Sequence, residues 1–162
     1  MVTPTGSISL PMYYAKESVA ASAAFQTWTT TADADAAKAR IHYATADASA
    51  TLPLCTITPA QDFGRRRAGT GNWVYMEGSA VLIHFEAAKA ADDTIADALI
   101  DFQNGVDTIL DDLEENTEIG GYLTFSEWRL DDGPYVFGSQ EDEGQLIGER
   151  CGVDIMFMLE GF

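Results

Sequence analysis

The longest amphipathic run in the chain lies between Asp92 and Asn116, where Ile95, Leu99, Phe102, Val106, Ile109 and Leu113 recur at alternating steps of four and three residues. That spacing lines one face of a helix with apolar side chains, which must lie on a hydrophobic layer. Asp92 or Asp93 suits the start, where a carboxylate satisfies orphan N–H groups and complements the helix dipole, and Gly120-Gly121 marks the stop. Pro11 suits the first turn of an earlier helix through PMYYAKESVAASAAFQTWT, with Tyr14, Ala21, Phe25 and Trp28 on one face. A short helical turn follows, capped by Thr31 or Asp33.

Alternation with period two predicts the strands. Ile41 to Thr45 and Leu52 to Thr58 read as two short ones, with Pro53 keeping the second near an edge or at a strand start. Trp73 to Glu77 and Ser79 to Ala87 read as one broken strand, in which Val81, Ile83 and Phe85 face one way and His84 and Glu86 the other. In Tyr122 to Leu130 the alternation slips between Phe125 and Trp128, which predicts a bulge. Asp131-Asp132-Gly133-Pro134 reads as a turn and GSQEDEG as an acidic loop. Cys151, Val153, Ile155, Phe157 and Leu159 alternate without a fault, so this strand is paired and buries its odd-numbered face. Strands in runs joined by short loops favour antiparallel pairing. The expected fold is therefore α+β, a mostly antiparallel sheet with helices packed on one face, forming a single domain over residues 11–162 after a flexible lead-in over residues 1–10.

The 162 residues suffice for one buried core, and 46% hydrophobic with 22% charged residues is ordinary for a globular chain. The net charge of −17 changes the picture. It argues against a nucleic-acid binder, which needs clustered Lys and Arg, and against docking on anionic membranes. Cys55 and Cys151 suggest packed thiols in a reducing cytoplasm, no apolar run reaches transmembrane length, and MVTPTGSISLPMYY lacks the pattern of a secretory signal.

Candidate chemistry is sparse, and no catalytic, cofactor or metal residue is assigned. His42 and His84 lie in expected strands without metal-ligand spacing, and would join Cys55 and Cys151 only if the sheet gathered all four. GRRRAGTGN lacks the GKS or GKT ending of a phosphate loop, and GxSxG and SxxK are absent. The sharper signals are charges. Arg65, Arg66 and Arg67, half of the six arginines, share the glycine-rich loop 59–72, whose natural partners in so acidic a chain are carboxylates. Asp97, Asp101, Asp107, Asp111, Asp112, Glu114 and Glu115 cover the outer face of the long helix. Glu114, Glu115 and Glu118 crowd its C-terminal end, where each acid costs about 0.3–1 kcal/mol at low salt. Solvated charges and intramolecular pairs are one reading. The other is a contact between copies, with Arg65, Arg66 and Arg67 meeting Asp111, Glu114, Glu115 and Glu118; such head-to-tail contacts close into rings.

AAFQTW, GSAVLIHFEA feeding ADALIDFQNGVDTIL, GGYLTFSEWRLDDGP and the closing CGVDIMFMLEG together give the chain a texture and element order that resemble the tail terminator (tail completion) proteins of long-tailed bacteriophages, in the head–tail connector group. The resemblance runs from about residue 11 to the end and rests on no single motif. It implies a structural virion protein, assembled in the host cytoplasm as a ring, usually a hexamer. Such a ring caps the tail tube protein and offers a surface to the neck or stopper protein. It also implies no enzyme activity and no cofactor, with DNA passing through an acidic lumen without specific binding. Three other expectations stand beside it: another neck protein (a head-completion stopper or adaptor), a small cytoplasmic α+β enzyme or ligand-binding protein, and an acidic accessory protein of a salt-adapted organism.

Overall fold

A computed structural model describes residues 9–47, 49–60, 65–68, 72–75, 79–115, 124–140 and 146–160. Helices α1 (Ser9–Ala21), α2 (Ala23–Thr29) and α3 (Ala34–Ala37) lead through a 3₁₀ turn into strand β1 (Ile41–Tyr43). Strands β2 (Leu54–Pro59), β3 (Arg65–Ala68), β4 (Asn72–Tyr75) and β5 (Ser79–Ala88) follow, then helix α4 (Ile95–Glu115) and strands β6 (Thr124–Gln140) and β7 (Leu146–Glu160). Five strands form one sheet in the order β1-β2-β5-β7-β6. Among the described residues only the β1–β2 pair is parallel. The helices pack on one face of it, which is the α+β arrangement the patterning predicts.

The core lies between that face and the helices. Cys55, Ile57, Val81, Ile83, Phe85, Val153, Ile155 and Phe157 rise from the sheet to meet Ala15, Val19, Phe25, Val106, Ile109 and Leu113. The faultless alternation near the C-terminus is β7, paired on both sides and buried through Cys151, Val153, Ile155 and Phe157, as expected. Helix α4 buries Phe102, Val106, Ile109 and Leu113 from the expected stripe, while Ile95 at its first turn is exposed and Ala98 and Leu110 are buried in addition. Its cap is Thr94 rather than Asp92 or Asp93. The Thr94 hydroxyl accepts from the Asp97 amide at 3.1 Å, which caps the helix, and donates to the Asp97 carboxylate at 2.7 Å.

Three other expectations need correction. The opening helix is two helices, broken at the buried Ser22. Ser22 Oγ accepts from the Phe25 amide at 3.1 Å to cap α2 and donates to Asp112 Oδ2 at 2.5 Å; Asp112 also accepts from the Ala24 amide at 3.1 Å. A carboxylate of α4 therefore satisfies the start of α2, and the chain turns there to bring Phe25 inward and Trp28 against α4. Ala21, expected on the apolar face, is exposed. Secondly, Asp131-Asp132-Gly133-Pro134 does not reverse the chain. It lies within β6, where register shifts between Leu130 and Asp132 and between Asp132 and Tyr135 absorb extra residues, and Gly133 takes φ +90°. The slip expected between Phe125 and Trp128 is present as a shift between Phe125 and Glu127. Thirdly, Ser9 and Leu10 are already helical, so the lead-in is shorter than expected; residues 1–8 lie outside the described residues. Asp33 caps α3 as the sequence predicts, accepting from the Ala36 amide at 2.8 Å. No helix among the described residues is long and apolar enough to cross a membrane.

Candidate functional site

Arg65, Arg66 and Arg67 do not sit in a loop. They form most of β3, paired in register with Tyr75, Val74 and Trp73 of β4, so the basic run is carried on a hairpin with a two-stranded sheet of its own. The two glycines between the strands made this stretch read as irregular, since a four-residue strand with three like charges has no apolar alternation to reveal it. The expected continuation of Trp73 to Glu77 into β5 is corrected by the same finding: β4 pairs with β3 and β5 belongs to the five-stranded sheet.

On α4, Asp111, Glu114 and Glu115 are exposed, as are Asp97, Asp101 and Asp107. Glu118 lies outside the described residues, as does the stretch 141–145 of the expected acidic loop; Gly138 to Gln140 of that loop belong to β6. Near the end of α4 the acids find neutral donors. Glu114 accepts from the indole N–H of Trp128 on β6, and Asp112 accepts from Ser22 and Ala24. Two of the carboxylates that the helix dipole disfavours are thus used to tie α4 to β6 and α2, which needs no cation.

The sheet face away from the helices carries a polar cluster the sequence reading did not assemble. His84 on β5 faces Asp154 on β7 in register; Glu86 lies two residues further along β5 opposite Gly152, and Arg150, opposite Ala88, reaches it diagonally. His84 Nδ1 is 2.7 Å from Asp154 Oδ1, its Nε2 is 3.6 Å from Glu86 Oε2, and Arg150 donates to Glu86 at 2.5 Å. The rings of Tyr135 and Phe137 from β6 flank the imidazole, with Tyr135 stacked at 29° and 6.4 Å. Gly152 is the floor beneath all three rings: a Cβ there would come within 2.9 Å of both His84 and Phe137. Burial opposes the charged imidazole, yet the two carboxylates outweigh it and raise the His84 pKa above its ordinary 6.5. Burial likewise opposes ionisation of Glu86, but His84 and Arg150 hold its carboxyl below the ordinary 4.5. Two positive and two negative groups balance, and both imidazole nitrogens face carboxylates. Thr56 neighbours His84 in register, but the ring is not turned to take a proton from that hydroxyl. The cluster is an ion-pair network that fastens β5 to β7.

This network has a pH signature with a definite sign. Because His84 is raised in the folded state, its contribution is fully present below pH 6.5 and is lost as pH rises through the folded value. Because Glu86 is depressed, its contribution is present above pH 4.5 and is lost as pH falls through its folded value. Urea unfolding followed across pH should therefore show a decline on the alkaline side of 6.5 that His84→Gln removes. The four-residue combination His42, His84, Cys55 and Cys151 is not assembled, because both cysteines point into the helix-side core while His84 lies on the opposite face. Burial raises the pKa of both thiols, Cys55 most strongly, so they remain packed and protonated.

Trp28, Phe102, Cys151, Asp93 and Asp101 line an open cleft of about 210 Å³ where β5 hands over to α4. Trp28 sets the Nε1–Cδ1 side of its indole against the α4 backbone at Gly105, where a Cβ would come within 2.8 Å of the indole nitrogen. Nothing in the periodicity signals this cleft, because it joins residues from α2, α4 and β7. No protein-family model matches the chain, and no curated protein matches it.

Proposed function

We propose that the chain is the repeating subunit of a ring, a tail terminator that closes the tube of a long-tailed bacteriophage and presents a surface to the neck. The observation that carries this reading is the separation of opposite charges onto different elements: Arg65, Arg66 and Arg67 on a hairpin of their own, and exposed acids along α4. A subunit that offers a basic element and an acidic one can contact its neighbour head to tail, and repetition of that contact closes a ring. Two further points support the reading. The segments that carry the family resemblance coincide with α2, β5, α4 and β7, the elements that build the core. The net charge of −17 suits a lumen through which DNA passes without adhering. In this role the His84 network is a structural fastening, and the chain performs no catalysis.

Size-exclusion chromatography with light scattering tests the assembly. The full chain is expected to form a closed species of about six copies at high protein concentration, dissociating as salt screens the charge contacts. A mass that stays at 17.5 kDa throughout would remove the ring. In that case the small enzyme or ligand-binding protein, or the acidic accessory protein, would become the better reading. A ring seated elsewhere in the neck than on the tube end would indicate a stopper or adaptor.

A further inference from the structure

We infer that the cleft lined by Trp28, Phe102, Asp93 and Asp101 is the seat for an arginine side chain from the β3–β4 hairpin of a second copy. This rests on the ring reading and assigns its interface. The hairpin leaves the sheet where β2 ends and β5 begins, Pro59 and Val81 being partners there. The cleft opens at the other end of the same strand, beyond Ala88. Ten residues of strand separate the two by about 30 Å at 3.3 Å per residue.

Helix α4 runs back along that length. Ala98 near its start lies against Cys151, which pairs with Ala87. Glu114 at its far end meets Trp128, which pairs with Phe157 and through it aligns with Val81. Asp111, Glu114 and Glu115 therefore lie at the end of the sheet where β2 leads into the hairpin and β5 leads out of it along the chain. Asp93, Asp97 and Asp101 lie at the opposite end, where the hairpin of a neighbour can be received. A donor at one end and an acceptor at the other is the layout a heterologous contact requires.

The chemistry of the cleft suits a guanidinium. The partly exposed Trp28 offers ring surface for a cation, and two carboxylates offer acceptors. Lys89, also at the cleft, is already committed: its Nζ donates to the carbonyls of Ala90 and Asp93 and pairs with Glu149 at 3.2 Å. Among the described residues no cation pairs with the carboxylates of Asp93 or Asp101. The volume of about 210 Å³ is smaller than the roughly 300–1,000 Å³ of small-molecule sites and suits a protruding side chain.

Complementary defects provide the test. Asp93→Asn with Asp101→Asn removes the acceptor, and Arg65→Ser with Arg66→Ser and Arg67→Ser removes the donor. Each variant alone is expected to assemble about ten-fold or more weakly than wild type, with an unchanged unfolding midpoint. Mixed in equal amounts they should form a species of two copies, because one intact hairpin then meets one intact cleft. A third variant, Asp111→Asn with Glu114→Gln and Glu115→Gln, should assemble like wild type. The cleft assignment is overturned, with the ring left standing, if the third variant disrupts assembly and the Asp93/Asp101 variant does not, or if the mixture stays monomeric. A wild-type chain that never assembles overturns the ring and this inference together.

Discussion

Phe85→Ala is expected to lower the free energy of unfolding by about 3–5 kcal/mol, a large share of the roughly 5–15 kcal/mol that stabilises a typical domain. Phe85 has no exposed surface, sits in the centre of the five-stranded sheet, and meets the Trp28 indole edge-on at 6.1 Å. Truncation there removes the transfer energy of an aromatic ring and leaves a void between β5, α2 and α4. These elements cannot close over it, because Gly105 already lets Trp28 lie on the α4 backbone. Urea denaturation followed by tryptophan fluorescence reads the change as a lower midpoint with an unaltered slope. Leu130→Ala serves as the comparison. That side chain is 53% exposed on the edge strand, and its loss should stay within about 0.5 kcal/mol.

Gly152→Val should cost about 1–3 kcal/mol for a different reason, overpacking. The new Cβ would press on His84 and Phe137 at 2.9 Å and on Tyr135 at 3.2 Å, so rings held by two strands must all move. His84 cannot shift without loosening its 2.7 Å contact with Asp154. The variant should therefore also flatten the alkaline pH dependence that His84 produces, whereas Phe85→Ala should leave that dependence in place. Measuring both variants at several pH values separates a defect of the core from a defect of the network. If Gly152→Val unfolds at the wild-type midpoint and keeps the wild-type pH profile, the role given to this glycine is wrong.

The two long elements were legible in the sequence because their apolar period is unbroken. Val106, Ile109 and Leu113 define α4, and Val153, Ile155 and Phe157 define β7, with burial on the expected faces. The face assignment on β5 was equally legible, since Val81, Ile83 and Phe85 alternate with His84 and Glu86. What failed was decided at a distance. The break at Ser22 depends on Asp112, ninety residues away, and no local signal overrides the alanine-rich helix propensity around it. The Asp131 to Pro134 stretch has turn chemistry, but pairing with β7 on both sides of it draws the chain through as an irregular strand.

The candidate sites divide in the same way. The basic run and the acidic helix face were visible as charges, but which acids stand at which end of the subunit is set by the antiparallel course of α4 over β5. The His84 network needed the register of two strands seventy residues apart, which composition and spacing do not contain. His84 and Asp154 each alternate with the apolar residues of their own strand, and that was the local hint.

Electron microscopy of particles assembled in host cells with and without this protein reads out whether a ring of it ends the phage tail. In its absence tails are expected to vary in length and remain unjoined to filled heads, and the wild-type chain should restore uniform joined particles. Uniform tails attached to heads in the complete absence of the protein would contradict that role.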